Sequence, residues 1–501
     1  MTTTFDTHSP LDGHLTATVE MYDETQVQRT VAELRAAQPA WEQLGVTARV
    51  RWVYRYRDWL LDNADRLSAL LHEVTGKPAG EAPIEILLTV DVINYYGRNA
   101  AKFLGDEKPR PHSVLLAAKQ LRTRYRPYPV VGILSPWNYP IALTLFDALA
   151  ALLAGGSVVV KPAPIASAVV AACVDGWRAI GAPAVFDYVT GEADTGTAVI
   201  DTVDYVQFTG STATGIQVAQ RAAARLIPYS LELGGKDPAL VLADADLTRA
   251  AAGVAFGGLS NSGQMCTSVE RVYVESPVYE AFLDELVKTV TKIRQGVGPG
   301  FDIDVTTLIS AAQLETTQRH VDDAVAKGAR ILLGGKPTGE GFGFQPTILA
   351  DVDHTMTVMT EETFGPLLPV MKVRDADEAV RLANDSDYGL SASVWSRNKH
   401  RATMIGEQLE VGSVDINDVS AHLAFFPLPQ SGWKNSGIGA RLGGAYGLRK
   451  YCRTQAVLVD RITTPLVPLL LWFPYSATKA KLVGTVFRLL DAKDLPRKLN
   501  L

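Results

Sequence analysis

Cysteine is scarce in this chain: Cys173, Cys266 and Cys452 are the only three among 501 residues. An odd, widely spaced set provides neither a disulfide framework nor a zinc site, and it suits a reducing cytosol. Histidine is thin as well. The eight histidines are scattered, with no HExxH run and no paired metal-ligand spacing, so no metal is expected. Long hydrophobic runs are missing: the most apolar stretch, 465–475 (PLVPLLLWFPY), is too short to span a bilayer and is broken by three prolines. The opening MTTTFDTHSPLDG has no basic n-region and no apolar h-region, so no signal peptide is evident. There is no excess of positive charge. A formal charge of −6 argues against nucleic acid as the main partner.

What is present reads as a soluble globular protein. Hydrophobic residues make up 47% and charged residues 20%, and the length calls for two or three domains. The run 49–59 (RVRWVYRYRDW) interleaves basic and aromatic side chains. Val53, Tyr56 and Leu60 nevertheless fall at helical spacing, which predicts a half-buried helix with snorkelling arginines rather than an RNA platform.

Residues 25–75 and 83–103 read as helices, with a Gly76-Lys77-Pro78 stop between them. Gln120 to Tyr128 alternates like an exposed β-ribbon. A strand–turn–helix theme then repeats, with strands expected at 130–134, 157–162, 184–189 and 205–208. A second alternating block from about 238 to 419 has strand candidates at 239–242, 271–274, 329–333, 368–373, 392–395 and 413–416. Strands alternating with helices imply parallel sheets, with ligands outside the carboxyl ends of the strands. Asn138, Lys161 and Gly210 all lie at such ends. A late strand at 456–459 could pair with the 120–128 ribbon, within the chain or from a neighbouring subunit, and so protect an open edge.

Phosphate signals are weak. Gly437-Ile438-Gly439-Ala440-Arg441-Leu442 lacks a third glycine and a preceding strand, and is read as a decoy. Phe208-Thr209-Gly210-Ser211-Thr212 follows a strand and opens a helix. Its free N–H groups and Ser211 could hold a pyrophosphate, or simply cap the helix. The chemistry centres on Glu232 in Leu231-Glu232-Leu233-Gly234-Gly235 and Cys266 in Gly263-Gln264-Met265-Cys266-Thr267. A thiol beside a carboxylate base suggests roles in sequence: the thiol attacks first, and the glutamate then activates water against a thioester.

With Pro136-Trp137-Asn138-Tyr139-Pro140, Lys161-Pro162, Glu361-Glu362-Thr363-Phe364-Gly365-Pro366 and Lys434-Asn435-Ser436-Gly437 in this order, the chain resembles the NAD(P)-dependent aldehyde dehydrogenases from about residue 20 to 460. It is similar to actinobacterial members catalogued as succinate-semialdehyde dehydrogenases. The resemblance implies an α/β fold: a Rossmann-type cofactor domain (1–105 and 129–232), an α/β catalytic domain (233–445) and a small β oligomerisation arm (106–128 and 446–463). A tail covers 464–501. It implies Cys266 as nucleophile, Asn138 as oxyanion donor and Glu232 as the base for hydrolysis. Lys161 would bind the adenosine ribose and Glu362 the nicotinamide ribose. Phe364 would pack beside the nicotinamide, with Trp137, Gly210 and Ser211 also at the cofactor. A cytoplasmic homodimer or homotetramer acting on a small aldehyde is expected.

Two departures qualify this picture. Lys161-Pro162-Ala163-Pro164 lacks the acidic residue that many NAD-preferring relatives place three positions after the lysine, which favours acceptance of NADP. The arginines that semialdehyde enzymes use to clamp a carboxylate are replaced by Phe146 and Ser260. An unpaired carboxylate would be costly to bury, so apolar aliphatic or aromatic aldehydes are favoured, with succinic semialdehyde as the alternative. Another cation could still come from the loop 422–433. Retention of Glu232 argues against transfer to coenzyme A. Retention of Asn138, Glu232 and Cys266 together argues against a non-catalytic binding protein. The tail carries Lys479, Lys481, Arg488, Lys493, Arg497 and Lys498 among apolar residues, and is read as packing on the subunit or its neighbour, covering the mouth of an apolar tunnel that Trp137, Leu145 and Phe146 suggest, or making peripheral membrane contact.

Overall fold

Runs of β-branched residues ending in tight turns form the sheet that positions the site. In this computed structural model, which describes residues 3–112, 117–463 and 471–499, six strands lie side by side. Their order is Gly437–Ile438, Tyr229–Glu232, Tyr205–Thr209, Val130–Ser135, Ser157–Pro162 and Phe186–Tyr188. All neighbours are parallel except the short Gly437–Ile438, which runs antiparallel with Gly437 opposite Glu232. The chain winds outward from Val130–Ser135 in one direction and then returns to its other side. That reversal is a topological switch point, where crevices open at strand ends. Pro136-Trp137-Asn138 and Gly210-Ser211 leave the sheet at this point.

The helix Pro140–Ala154 follows the first of these turns, and every residue in it but Leu143 is buried. It ends at Gly155 with φ 106°. Arg49 donates from Nε to the Leu153 carbonyl at 3.1 Å and from Nη1 to the Glu42 carbonyl at 2.9 Å. The basic-aromatic run is thus the helix Gly45–Asp62 with Val53, Tyr56 and Leu60 buried, but not all of its arginines snorkel. Arg49 is 4% exposed and satisfies carbonyls at a helix end, where a cation is favoured. Arg55 and Arg57 lie over the Trp52 and Tyr54 rings.

A second sheet has seven strands in the order Arg330–Leu333, Thr347–Ala350, Leu367–Val373, Val269–Glu275, Asp237–Val241, Ser391–Trp395 and Ser413–Ile416. It is parallel apart from its first strand. Side chains alternate between two cores: Ala239 and Val241 join Val272, Ile348 and Leu368 on one face, while Leu240 joins Tyr273, Leu349 and Leu367 on the other. This two-residue period is why the strands read as near-continuous apolar runs. Thr347–Ala350, inside the sheet, and the hairpin Thr4–His8 with Leu15–Glu20 had no counterpart in the sequence reading.

The chain divides into two compact units, Met1–Leu104 with Arg126–Arg453, and Gly105–Tyr125 with Thr454–Leu501. The strands Lys119–Pro127 and Cys452–Asp460 pair with each other inside one chain, so this pairing does not require a neighbouring subunit. The helix Ala477–Asp491 has no buried residue. Part of the expected apolar stretch 465–475 lies outside the described residues.

Candidate active site

Cys266 sits at the end of an unusual turn. Asn261 (φ 50°, ψ 35°) and Ser262 (φ 59°, ψ 32°) are both left-handed, a conformation non-glycine residues adopt only when their surroundings fix it. Here they are fixed. The Asn261 amide donates to the carbonyls of Asn138 (3.1 Å) and Gln264 (3.2 Å), and its N–H donates to Glu81 at 2.8 Å. Thr306 N–H donates to Ser262 Oγ at 3.1 Å. Gly263, at φ 77°, passes so close to the Gly365 carbonyl that a Cβ would stand 2.2 Å from its oxygen. The turn therefore delivers Cys266 to a defined place.

Asn138 meets the same turn from the other side. Its Nδ2 donates to the Gln264 carbonyl at 3.1 Å. It does not cap the helix behind it: Ile141 and Ala142 N–H donate to Glu85 Oε2, each at 3.0 Å. Glu232 ends the strand Tyr229–Glu232 and is 7% exposed, so it belongs to a strand and not to the glycine turn that follows. That turn runs close to the nucleophile. A Cβ on Gly235 would stand 2.2 Å from the Cys266 carbonyl oxygen, and Gly235 N–H donates to Glu362 Oε1 at 3.0 Å. Phe364, at φ 54°, is held by the buried Lys236–Glu270 pair, because Glu270 accepts from Thr363 and Phe364 N–H at 2.7 and 2.8 Å. Trp137 packs edge-on to Phe364 at 5.6 Å.

One cavity of about 250 Å³ gathers Trp137, Asn138, Gly210, Ser211, Glu232, Cys266, Glu362 and Phe364. Its lining includes two carboxylates and no lysine or arginine. A groove of about 1050 Å³ shares Trp137, Gly210 and Ser211 with it and adds Lys161, Glu192 and the start of the helix Thr212–Ala224. Ser211 caps that helix, accepting from Thr214 N–H at 3.4 Å.

The sequence profile of the aldehyde dehydrogenase family matches residues 1–457. The chain belongs to the aldehyde dehydrogenase family. A relative from Methylomonas sp. named 4,4'-diapolycopene aldehyde oxidase is 42% identical over 479 residues, covering 95% of this chain and 89% of that protein. One from Mycobacterium ulcerans, provisionally named succinate-semialdehyde dehydrogenase [NADP(+)] 2, is 38% identical over 486 residues, covering 94% and 93%. The crystal structure of an NAD-dependent aldehyde dehydrogenase from Sinorhizobium meliloti superposes with a TM-score of 0.89 at 33% identity, covering 94% of this chain and 93% of that one.

Aldehyde dehydrogenases are oxidoreductases that use NAD or NADP, and the groove of this one fits such a dinucleotide. Gly210 lets the backbone pass where a Cβ would stand 2.6 Å from the Phe208 ring. The helix behind it offers N-terminal N–H groups to a pyrophosphate. Burial lowers the Lys161 ammonium to about 8, with Glu192 opposing that shift.

Burial raises both carboxyls and the thiol at the centre of this aldehyde dehydrogenase. Burial raises the Glu232 carboxyl to about 7, with Asp147 adding to the shift and Arg441 and Lys450 opposing it. Burial and Glu270 raise Glu362 to about 8. Burial, then Glu232, push the Cys266 thiol upward. The groups near Glu232 form a buried network that sequence reasoning missed. Asp147 accepts from Arg441 Nη1, from Lys450 Nζ at 3.1 Å and from Tyr451 Oη at 2.7 Å. Lys450 also donates to Gln207 Oε1 at 2.7 Å, and Arg441 Nη2 is buried without a partner. One signal was available: Asp147 is the only charged residue in an otherwise apolar helix.

Phe146 and Ser260 lie elsewhere. Phe146 is 7% exposed and packs edge-on to Phe426 at 5.9 Å. Ser260 donates to the Phe256 carbonyl at 2.7 Å and lines a separate cavity beside Glu81 and Pro78. Neither lines the cavity that holds Cys266.

Proposed function

We propose that this aldehyde dehydrogenase oxidises apolar aliphatic or aromatic aldehydes to carboxylic acids through a covalent bond to Cys266. The observation that carries the reading is the 250 Å³ cavity, where Cys266, Glu232 and Asn138 meet with no cation in the lining. Cys266 Sγ adds to the aldehyde carbon, and the thiol proton leaves. The Asn138 amide and the Cys266 N–H stabilise the oxyanion without adding a net charge. Bound NAD(P) supplies the hydride acceptor. Lys161, the Gly210-Ser211 turn and Glu362 would hold it, with Trp137 and Phe364 beside them in the same cavities. Loss of hydride from that oxyanion leaves a thioester on Cys266, the one proton released up to this point being the thiol's. Glu232 then takes a proton from water, the water oxygen displaces sulfur, and the acid and the free thiol result.

The carboxyl near 7 supports that order. At neutral pH part of the Glu232 population is ionised, and it can accept a proton without being permanently charged beside the thiol. A substrate carboxylate would enter a cavity whose lining offers no lysine or arginine to pair it, which disfavours succinic semialdehyde. The absence of a carboxylate at position 164 supports acceptance of NADP. The domain division expected from the sequence, a cytoplasmic setting with peripheral membrane contact, and assembly as a homodimer or homotetramer through the paired strands of the arm belong to the same proposal.

Initial rates with NAD and NADP over hexanal, octanal, benzaldehyde and succinic semialdehyde test it. The expected result is higher kcat/KM for the apolar aldehydes. A clear preference for succinic semialdehyde would mean that a cation serves the carboxylate, and would overturn the substrate reading.

A further inference from the structure

The segment 471–499 follows the last residue matched by the family profile, so the family fold does not require it. Its first residues expose three neighbouring aromatics, Trp472 (63%), Phe473 (80%) and Tyr475 (73%). The helix Ala477–Asp491 comes next, capped by Ser476, which accepts from Lys479 N–H at 3.2 Å. The Lys479 ammonium donates to the carbonyls of Trp472 and Pro474 at 3.3 and 2.9 Å, tying the aromatic turn to the helix. At 100° per residue, Leu482, Val483, Val486, Leu489 and Leu490 fall on one face, which also carries Lys479 in its first turn, and Lys481, Thr485 and Arg488 fall on the other. No residue of this helix is buried. Among the described residues no helix is long and apolar enough to cross a membrane.

We propose that this segment docks on an anionic lipid surface, lying in the plane of the interface. Charge decides between the occupants that an apolar face could take. The segment carries Lys479, Lys481, Arg488, Lys493, Arg497 and Lys498 against Asp491 and Asp494, in a chain whose net charge is −6. A second copy related by a two-fold axis would bring the same cations against themselves. Anionic headgroups match them, and the aromatic turn and leucine face enter the acyl boundary beneath. Docking would put the enzyme where lipophilic aldehydes dissolve; only for that use does the inference rest on the proposed substrate class.

Flotation of the full-length protein with vesicles tests it. The protein should float with phosphatidylcholine vesicles that contain phosphatidylglycerol, stay behind with phosphatidylcholine alone, and release in high salt. Lys481→Glu/Arg488→Glu and Leu482→Ser/Leu489→Ser should each lower the partition coefficient roughly tenfold or more, while turnover of soluble hexanal stays at the parent value and reports folding. Absence of flotation by the parent protein, or flotation of both variants at the parent level, would overturn docking. So would a change of oligomeric state in the variants on size-exclusion chromatography, because it would place a second copy on this face. Failure of the soluble aldehyde panel would overturn the substrate class and leave the flotation result standing, so the two failures are distinguishable.

Discussion

Glu232→Gln isolates the step that the raised carboxyl is proposed to serve. An ordinary glutamate loses its proton near 4.5, whereas burial holds the Glu232 proton to about 7, a difference of roughly 3 kcal/mol. The base works when ionised, so the sign is fixed: hydrolysis is fast above the midpoint and fails below it. With a midpoint of about 7, roughly a tenth of the carboxylate is ionised at pH 6 and roughly nine-tenths at pH 8. Hydrolysis of an acyl group on Cys266 should therefore rise about tenfold across that interval. A nitrophenyl ester of hexanoic acid delivers the acyl group directly: the burst of nitrophenolate reports acylation, and the steady phase reports hydrolysis. In Glu232→Gln the burst should persist while the steady phase falls by about 10²–10⁴ and loses its step between pH 6 and 8. A step near 4.5 in the parent enzyme, or an unchanged steady phase in the variant, would refute the reasoning.

Other perturbations read the surrounding groups. Asp147→Asn removes a negative charge that raises Glu232, so the hydrolysis midpoint should move to lower pH. The same change breaks a buried network and should lower the urea midpoint, with a stability loss of about 3–5 kcal/mol. Asn138→Ala should cost about 10²–10³ in kcat if the amide donates to the developing oxyanion, and an unchanged kcat would remove it from that role. Glu192→Ala should raise kcat/KM for NADP relative to NAD, because the exposed carboxylate in the groove repels a 2′-phosphate; an unchanged ratio would show that Glu192 does not face that group.

The sequence was most legible where one local rule sufficed. The runs 130–134 and 158–160 are unbroken, apolar and buried on both faces, and each was readable from its own residues. Thr347–Ala350 is just as buried, but four residues between a glycine-rich loop and Asp351 carry too little pattern to stand out. Glu232 was legible as a chemical group, but the strand that carries it was not, because it is short and is completed by Gly437–Ile438 from 205 positions later. That late pair lies in the run read as a failed phosphate loop. Beyond the lone charge of Asp147 in its helix, the network near the base was unreadable for a related reason. Asp147 is bonded to Arg441 and Lys450, which lie 294 and 303 positions away, and only the fold brings them together. Phe146 and Ser260 were paired by analogy of position, and the structure places them in different surroundings.

The most direct test of the central claim is the mass of the protein after acid quench of Glu232→Gln incubated with hexanal and NADP. The account predicts an adduct equal to hexanal less two hydrogens, mapped by peptide digestion to Cys266 and absent without the dinucleotide. No adduct, an adduct on Cys173 or Cys452, or the same adduct formed without the dinucleotide would contradict it.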